Sequence, residues 1–422
     1  MSNKSFFWGA STASHQVEGG TENQWTVWEL SVAAHQAKMA HKRLSWMPNW
    51  QEIEKQATDP NNYVSGKGID HFNKYKEDFD ILDKLGLNAF RFGIQWSRLE
   101  PEEGKWDPAA FEHYKQYIKE LNDRGIEPIL NIWHWTMPIW FAEKGGFTKR
   151  SNLKYFDAYV KKISEELLDN VHYVITLNEP NVYIGFSYID GEWPPQEKNK
   201  VKAIYTYLNL AVAHKRAYKI LKSHKKSLKI GVAQQLANIQ AYRPGSIVDE
   251  VIVKVMRYFW NWWWLNKIKN QMDFIGFNYY FTDYYKGFNK INLKTPVNDL
   301  GWYMHPEGLL SLLERVAAHF PGKPIIVTEN GVADSHDKYR QWWLHETMQS
   351  IDTAKSIDIP VIGYLHWSLL DNFEWAYGWW PKFGLVAVDR QNGNKRIIRS
   401  SALWWAKEIA KRRELDGEQQ GS

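Results

Sequence analysis

The sequence predicts an α/β fold, a single (β/α)8 barrel running as one domain over residues 1–422, and three observations carry that reading. Short apolar, β-branched runs alternate with amphipathic stretches through eight rounds, and strands alternating with helices form a parallel sheet. Gly and Pro punctuate the joints where that alternation needs them. The 422 residues contain no low-complexity linker, and α/β barrels are the common case of so long a chain forming one domain.

Taken in order, strand one is the aromatic run Phe6–Thr12. After it comes Leu30–Lys67, long, basic and aromatic, with His41-Lys42-Arg43, Trp46 and Trp50. It breaks the alternation and reads as an elaborated loop with a short helix over one rim, its charges solvated. Helix Asp70–Leu85 leads to strand two, Ala89–Trp96, and helix Pro108–Arg124 to strand three, Glu127–Trp135. Gly86 and Gly125 stand at the two joints, where a left-handed C-cap belongs, and Pro108 suits a first helical turn. The alternation continues with helix Asn152–Asn170, strand Tyr173–Pro180, helix Lys200–Lys226, strand Lys229–Leu236, helix Ile247–Lys269 and strand Phe274–Tyr280. Helix Pro306–His319, strand Ile325–Gly331, helix Asp337–Lys355, strand Val361–Leu370 and a closing helix Ser400–Glu414 complete it.

Composition narrows the function. Apolar residues make up 44% and charged residues 24%, as in a globular protein. A net charge of +5 is small for this length, and no basic stripe interleaves with stacking aromatics, so nucleic acid is excluded as a partner. There is no cysteine, hence no disulfide, thiol catalysis or thiolate metal site. No stretch is long and apolar enough to span a bilayer, and no membrane partner is expected. Met1–Ser5 enters strand one without the charged-then-apolar pattern of a secretion signal, so a cytoplasmic location is expected. The closing Gly421-Ser422 reads as a cloning remnant. The 24 Trp, 22 Tyr and 19 Phe suit an aromatic-rich core, with a subset available to stack on sugar rings.

In such a barrel, catalytic groups project from the C-terminal ends of the strands. Strand four ends in Thr176-Leu177-Asn178-Glu179-Pro180 and strand seven in Val327-Thr328-Glu329-Asn330-Gly331, each setting a carboxylate where an apolar strand stops. Paired carboxylates across a pocket are what glycoside hydrolysis requires, one protonated to donate and one ionised to attack. Arg91 at the end of strand two and Tyr280 at the end of strand six are placed to favour an ionised carboxylate; sequence does not say which Glu they face. No His-Glu-x-x-His or related spacing offers a metal site, and no cofactor is expected.

Several motifs then stand in order along the chain: Phe7-Trp8-Gly9-Ala10-Ser11-Thr12 with Gln16-Val17-Glu18-Gly19, Arg91 through Trp96-Ser97-Arg98, and Trp133-His134-Trp135. Thr176–Pro180, Asn278-Tyr279-Tyr280, Val327–Gly331 and Trp367–Trp375 follow. From Phe6 to about Glu408 the chain resembles glycoside hydrolase family 1, the β-glucosidase and β-galactosidase family. The resemblance implies Glu179 as acid/base and Glu329 as nucleophile, about 5–5.5 Å apart in a retaining pair. It implies Arg91 and Tyr280 as the groups that orient Glu329, and Asn178 as the partner of the sugar 2-hydroxyl. It further implies Gln16, His134, Trp135, Glu374 and Trp375 as hydroxyl-binding residues, Trp367 as the platform beneath the ring and Phe383 as an aromatic neighbour.

The expected activity is that of a retaining exo-β-glycosidase acting on small carbohydrates, β-glucosides or β-galactosides and short β-linked oligosaccharides. Both catalytic Glu are present, which separates the chain from non-catalytic sugar-binding relatives. Glu374, Pro381 and Phe383 differ from the residues that phospho-sugar-specific members carry, so a phosphorylated glycoside is not the expected substrate. A short Ala237–Asp273 connection, the unusual Leu30–Lys67 and Trp379-Trp380-Pro381 are expected to shape the aglycone side. Trp140, Trp193, Trp379 and Trp380 receive no individual role, and Trp262–Trp264 is read as mostly core on a helix.

Overall fold

The computed structural model describes residues 6–291, 293 and 295–418; the readings of Met1–Ser5 and of Gly421-Ser422 fall outside them. Eight parallel strands close a barrel: β1 (Phe7–Ser11), β2 (Ala89–Gly93), β3 (Glu127–Trp133), β4 (Tyr173–Asn178) and β5 (Lys229–Gln235), then β7 (Ile275–Tyr279), β10 (Ile325–Asn330) and β11 (Val361–Trp367), which returns to β1. The intervening β6 (Asn238–Ala241), β8 (Thr282–Lys286) and β9 (Asn289–Ile291) make a small separate sheet, and β12 (Val386–Asp389) pairs with β13 (Lys395–Ile398) in a hairpin.

Each predicted strand is present, but several stop two or three residues early. β3 ends at Trp133, before His134-Trp135, and β4 ends at Asn178, before Glu179. Trp135 (φ 72°) and Glu179 (φ 40°) are left-handed, so the chain turns out of the ladder and sets those side chains on the barrel rim. Below the rim, Phe7, Ile129, Tyr173, Ile175, Phe274 and Ile326 fill the N-terminal end of the barrel. The joints behave as expected: Gly86 (φ 64°) and Gly125 (φ 69°) are left-handed, and Asp107 caps the helix that Pro108 opens, accepting from Ala109 N–H at 2.8 Å.

Two segments differ from expectation. Leu30–Lys67 is not chiefly loop, because a helix of 21 residues covers Gln24–Leu44 and another covers Trp50–Ala57. Asn23 caps the longer one, accepting from Trp25 and Thr26 N–H, while His41, Lys42 and Arg43 complement the dipole of its last turn. Its buried face includes Ala33, Ala37 and Ala40, whose weak hydrophobicity mutes the periodic signal. The predicted helix Ile247–Lys269 is broken: α-helix to Arg257, a π-helical turn over Tyr258–Trp262, then α-helix Trp263–Ile268. Buried Asn261 holds that turn, accepting from Ala237 N–H at 3.1 Å and donating to Ala237 O at 3.0 Å. Trp264 is core as expected, whereas Trp260 in the π-turn is exposed. Among the described residues no helix is long and apolar enough to cross a membrane.

Candidate active site

Glu179 and Glu329 meet over the C-terminal mouth of the barrel, each carried by the end of its strand. Glu179 N–H donates to Ala233 O of β5 at 2.7 Å, which fixes the turn that aims its side chain inward. Asn278 of β7 lies between the two acids: its Cα pairs in register with Glu329, and its Nδ2 donates to Glu179 Oε1 at 2.8 Å. The Asn278 carbonyl accepts from Thr328 Oγ1 at 2.6 Å, so the amide cannot turn over without losing both bonds.

Arg91 and Tyr280 both face Glu329. The guanidinium, fully buried, donates one Nη to Glu329 Oε1 and the other to Asn178 Oδ1 at 2.5 Å, bridging β2, β4 and β10. Tyr280 Oη donates to Glu329 Oε2 at 2.6 Å. Glu329 thus accepts from a cation and a phenol, a setting that suits a negative charge. Glu179 has only an amide donor. Burial first, and then the charge of Glu329, push its carboxyl well above the usual range. Burial, followed by Glu329, also raises the Tyr280 phenol, which stays protonated and able to donate.

A third acid, the half-buried Glu374, completes the polar floor. Gln16 Nε2 donates to Phe373 O at 2.7 Å and to Glu374 Oε2 at 3.3 Å, leaving the buried Gln16 Oε1 without a protein partner. Burial and the charge of Glu329 raise Glu374 to about 8. His134 is neutral, its pKa held well below the ordinary value by burial and then by Arg91, and its Nε2 accepts from Asn178 Nδ2 at 2.9 Å. Trp135 donates its indole N–H to Asn178 O at 3.0 Å.

Aromatic rings wall the site. Trp375 lies 4.8 Å from Trp135 and 5.9 Å from His134, with Trp367 6.0 Å from His134 and Phe383 6.1 Å from Tyr280. Behind Trp375, His15 stacks at 5.5 Å and bonds Glu29 at 2.7 Å, so the long helix Gln24–Leu44 braces this wall. Of the predicted site residues, His134, Trp135, Glu179, Tyr280, Glu329, Trp367, Glu374, Trp375 and Phe383 line one cavity of about 920 Å³. Gln16, Arg91 and Asn178 are buried behind that lining and touch it.

Sequence reasoning missed Asn278 as the tether of Glu179, although its place at the end of β7 is the signal that picked out the two acids. It also left Trp193 without a role; the ring lines the cavity 4.6 Å from Trp135. Trp302, 6.2 Å from Phe383, comes from an irregular loop with no periodic pattern to mark it. The expectation for Trp379-Trp380-Pro381 is corrected. Trp379 is buried beneath Arg390, 3.5 Å from its ring, and donates to Val64 O at 2.9 Å; none of the three lines the cavity. Ala237–Asp273 does reach it, through Ala237, Ile239, Val255, Met256, Phe259 and Trp260, and the 30–67 segment contributes Arg43. Among the described residues no cluster of three or more His, Asp or Glu is arranged to hold a metal ion.

Comparison with known proteins gives the same picture along the whole length. The family model described as Glycosyl hydrolase family 1 matches residues 2–267 and 264–415. A 1,4-beta-D-glucan glucohydrolase from Thermotoga neapolitana is 31% identical over 96% of this chain and 97% of its own. The beta-glycosidase from Pyrococcus horikoshii superposes with a TM-score of 0.82 at 31% identity, covering 95% of this chain and 93% of its own. A beta-glucosidase from Thermotoga maritima, in complex with glucoimidazole, superposes with a TM-score of 0.85 at 27% identity, covering 97% and 98%.

Proposed function

The chain belongs to glycosyl hydrolase family 1, an O-glycosyl hydrolase of the β-glucosidase type, and on that premise we propose that it is a retaining exo-β-glycosidase with Glu329 as nucleophile and Glu179 as acid/base. It releases the terminal β-D-glucosyl or β-D-galactosyl residue of β-glycosides and short β-linked oligosaccharides. The observation that carries the assignment of roles is the asymmetry of the pair: Glu329 accepts from Arg91 and Tyr280, while Glu179 has an amide donor and a raised pKa.

In the first step a Glu329 oxygen attacks the anomeric carbon. The bond to the leaving oxygen breaks as the Glu179 proton moves onto that oxygen, and the aglycone departs as an alcohol. Glu329 is then a neutral ester. Glu179, now ionised, takes a proton from water; the hydroxide oxygen bonds the anomeric carbon and Glu329 leaves as carboxylate, so the anomeric configuration is retained. Asn178, set by Arg91 and His134, meets the 2-hydroxyl, where contacts strengthen as oxocarbenium character develops. Gln16, His134, Glu374 and Trp375 bind the remaining hydroxyls, Trp135, whose indole N–H is held by Asn178 O, walls the site, Trp367 lies beneath the ring and Phe383 beside it. The small size of this buried polar set supports the exo mode, and the relative named 1,4-beta-D-glucan glucohydrolase supports glucose as the sugar. The enzyme works in the cytoplasm without a cofactor, and with neither nucleic acid nor membrane as a partner.

Azide rescue tests the roles. Glu329→Ala should lose turnover and, with azide, yield the α-glycosyl azide, because the anion attacks from the vacated face. Glu179→Ala should keep the first step on activated aryl glycosides, whose leaving groups need no proton, and yield the β-glycosyl azide. Exchanged stereochemistry would reverse the assignment.

A further inference from the structure

The cavity is much larger than one sugar needs, and its character changes toward the mouth. Around the two acids it is polar and buried. Further out it is lined by Ile189, Ile204, Val255, Phe259 and Trp260, five large apolar side chains left 38% to 58% exposed. Two irregularities of the backbone create this mouth. The π-turn Tyr258–Trp262 brings Phe259 and Trp260 to the rim, and a second π-turn, Gly185–Ile189, brings Phe186 and Ile189. An aromatic path joins mouth to sugar site: Phe186 stacks on Trp193 at 4.6 Å, and Trp193 lies 4.6 Å from Trp135.

Further sugar units would need hydroxyl partners; the lining does carry polar groups, Asn181, Glu192, Tyr207 and Gln235 among them, but the five exposed side chains of the lip supply only the Trp260 indole. Trp260 Nε1 is occupied by Gln235 Oε1 at 2.5 Å, and Asp283 and Lys290 at the rim pair with each other at 2.7 Å. Exposed apolar side chains arranged contiguously beside a binding site mark a surface that an apolar ligand covers. A second copy of the chain seated here would block the entrance that substrate must use, so the occupant is part of the substrate itself.

We propose that the aglycone side of the cleft receives the hydrocarbon chain of an amphiphilic β-glycoside, laid along Phe186, Ile189, Ile204, Val255, Phe259 and Trp260. The inference rests on the glycosidase reading of the same site and adds the aglycone class to it. Full burial of a methylene would raise affinity about fourfold; against a groove open on one side, about twofold per methylene is expected.

The test is kcat/KM for methyl, butyl and octyl β-glucosides below the concentrations at which they form micelles, with cellobiose and para-nitrophenyl β-glucoside in parallel. From butyl to octyl the value should rise roughly tenfold or more, chiefly through KM, and octyl should exceed cellobiose. The surface double variant Ile204→Ser with Phe259→Ser should reduce the octyl-to-methyl ratio several-fold. Val248→Ser, on the same exposed helix but outside the cavity lining, should leave that ratio intact. A flat chain-length series, cellobiose preferred over octyl, or a ratio unmoved by the double variant overturns the inference while para-nitrophenyl turnover upholds the glycosidase reading. Absence of turnover on every glycoside, aryl ones included, removes that reading and the inference with it.

Discussion

Replacing Glu329 by Gln should lower the pKa of Glu179, and this shift mimics what happens when the nucleophile becomes an ester. Three causes raise Glu179, burial first, the charge of Glu329 second and that of Glu374 last, while Asn278 and Arg91 act in the opposite direction. The substitution removes the second cause and leaves the first. At a retaining separation of about 5 Å and an effective dielectric of about 20, two unit charges repel by about 3 kcal/mol. Removing that repulsion lowers the pKa of Glu179. The freed positive charge of Arg91 acts in the same direction. Glu374, raised to about 8 by burial and then Glu329, should fall as well. The assay is a titration of carboxyl carbons in protein labelled with ¹³C at Glu Cδ, the signals being assigned by subtracting Glu179→Gln and Glu374→Gln spectra. A Glu179 signal that does not move, or that moves upward, would refute the claim that repulsion between the acids lets Glu179 donate first and then accept a proton.

Four further outcomes follow from individual residues. Arg91→Lys keeps the charge but cannot fork between Glu329 and Asn178, so kcat should fall about 100-fold or more with little change in melting temperature at neutral pH. Tyr280→Phe removes one hydrogen bond to Glu329 and should lower kcat roughly ten- to hundredfold, the smaller loss of the two. Glu374→Gln should stabilise the protein at high pH. Burial and Glu329 push the folded carboxyl up to about 8 from its ordinary 4.5, so its destabilising effect is absent below the lower value, grows between the two and is complete above the higher. A melting-temperature gain at pH 9, with none at pH 4, is the expected result, and activity should drop at the same time. An aryl β-glucoside should be hydrolysed orders of magnitude faster than its counterpart phosphorylated on the primary hydroxyl, since a phosphate would bring further negative charge into a pocket where burial and Glu329 already hold Glu374 up at about 8. Comparable rates on the two substrates would contradict that.

The barrel was legible because each strand is an apolar run and each helix has one apolar stripe, patterns set by local geometry. The two acids were legible for a related reason: a carboxylate directly after an apolar strand stands out. What could not be read is which donor meets which acid. Arg91 is more than two hundred residues from Glu329 in sequence, and only closure of the barrel brings β2 within reach of β10. The long helix from Gln24 was obscured because its buried face relies on alanines and on Glu29, a buried acid whose partner His15 lies outside the helix. The π-turn at Tyr258–Trp262 was obscured by the helical spacing of apolar residues in its flanks, since nothing in a run of aromatic residues distinguishes one extra residue per turn from a regular helix.

The energetics of the fold and of the site pull in opposite directions, and the backbone records where. Among the described residues, eight that are not glycine adopt positive φ. Four of them, Asp70, Asp337, Asp358 and Asn394, are the residue types whose short polar side chains tolerate that conformation, and Gln196 lies on an exposed turn. The other three are Trp135, Glu179 and Trp375, all lining the catalytic cavity. A left-handed non-glycine residue costs roughly 1–2 kcal/mol, and neither tryptophan nor glutamate has a local compensation. The same cavity gathers the buried Glu179 and Glu329 and the half-buried Glu374, where burial and the charge of Glu329 raise the pKa of the other two. Folding alone would favour glycine at such turns and apolar groups in such a pocket. Their persistence here follows from what each turn does: Trp135 reaches back to bond Asn178, Trp375 closes over His134, and Glu179 turns off β4 toward Asn278 and the second acid. Relaxing any of these turns should therefore stabilise the barrel and disable the site together.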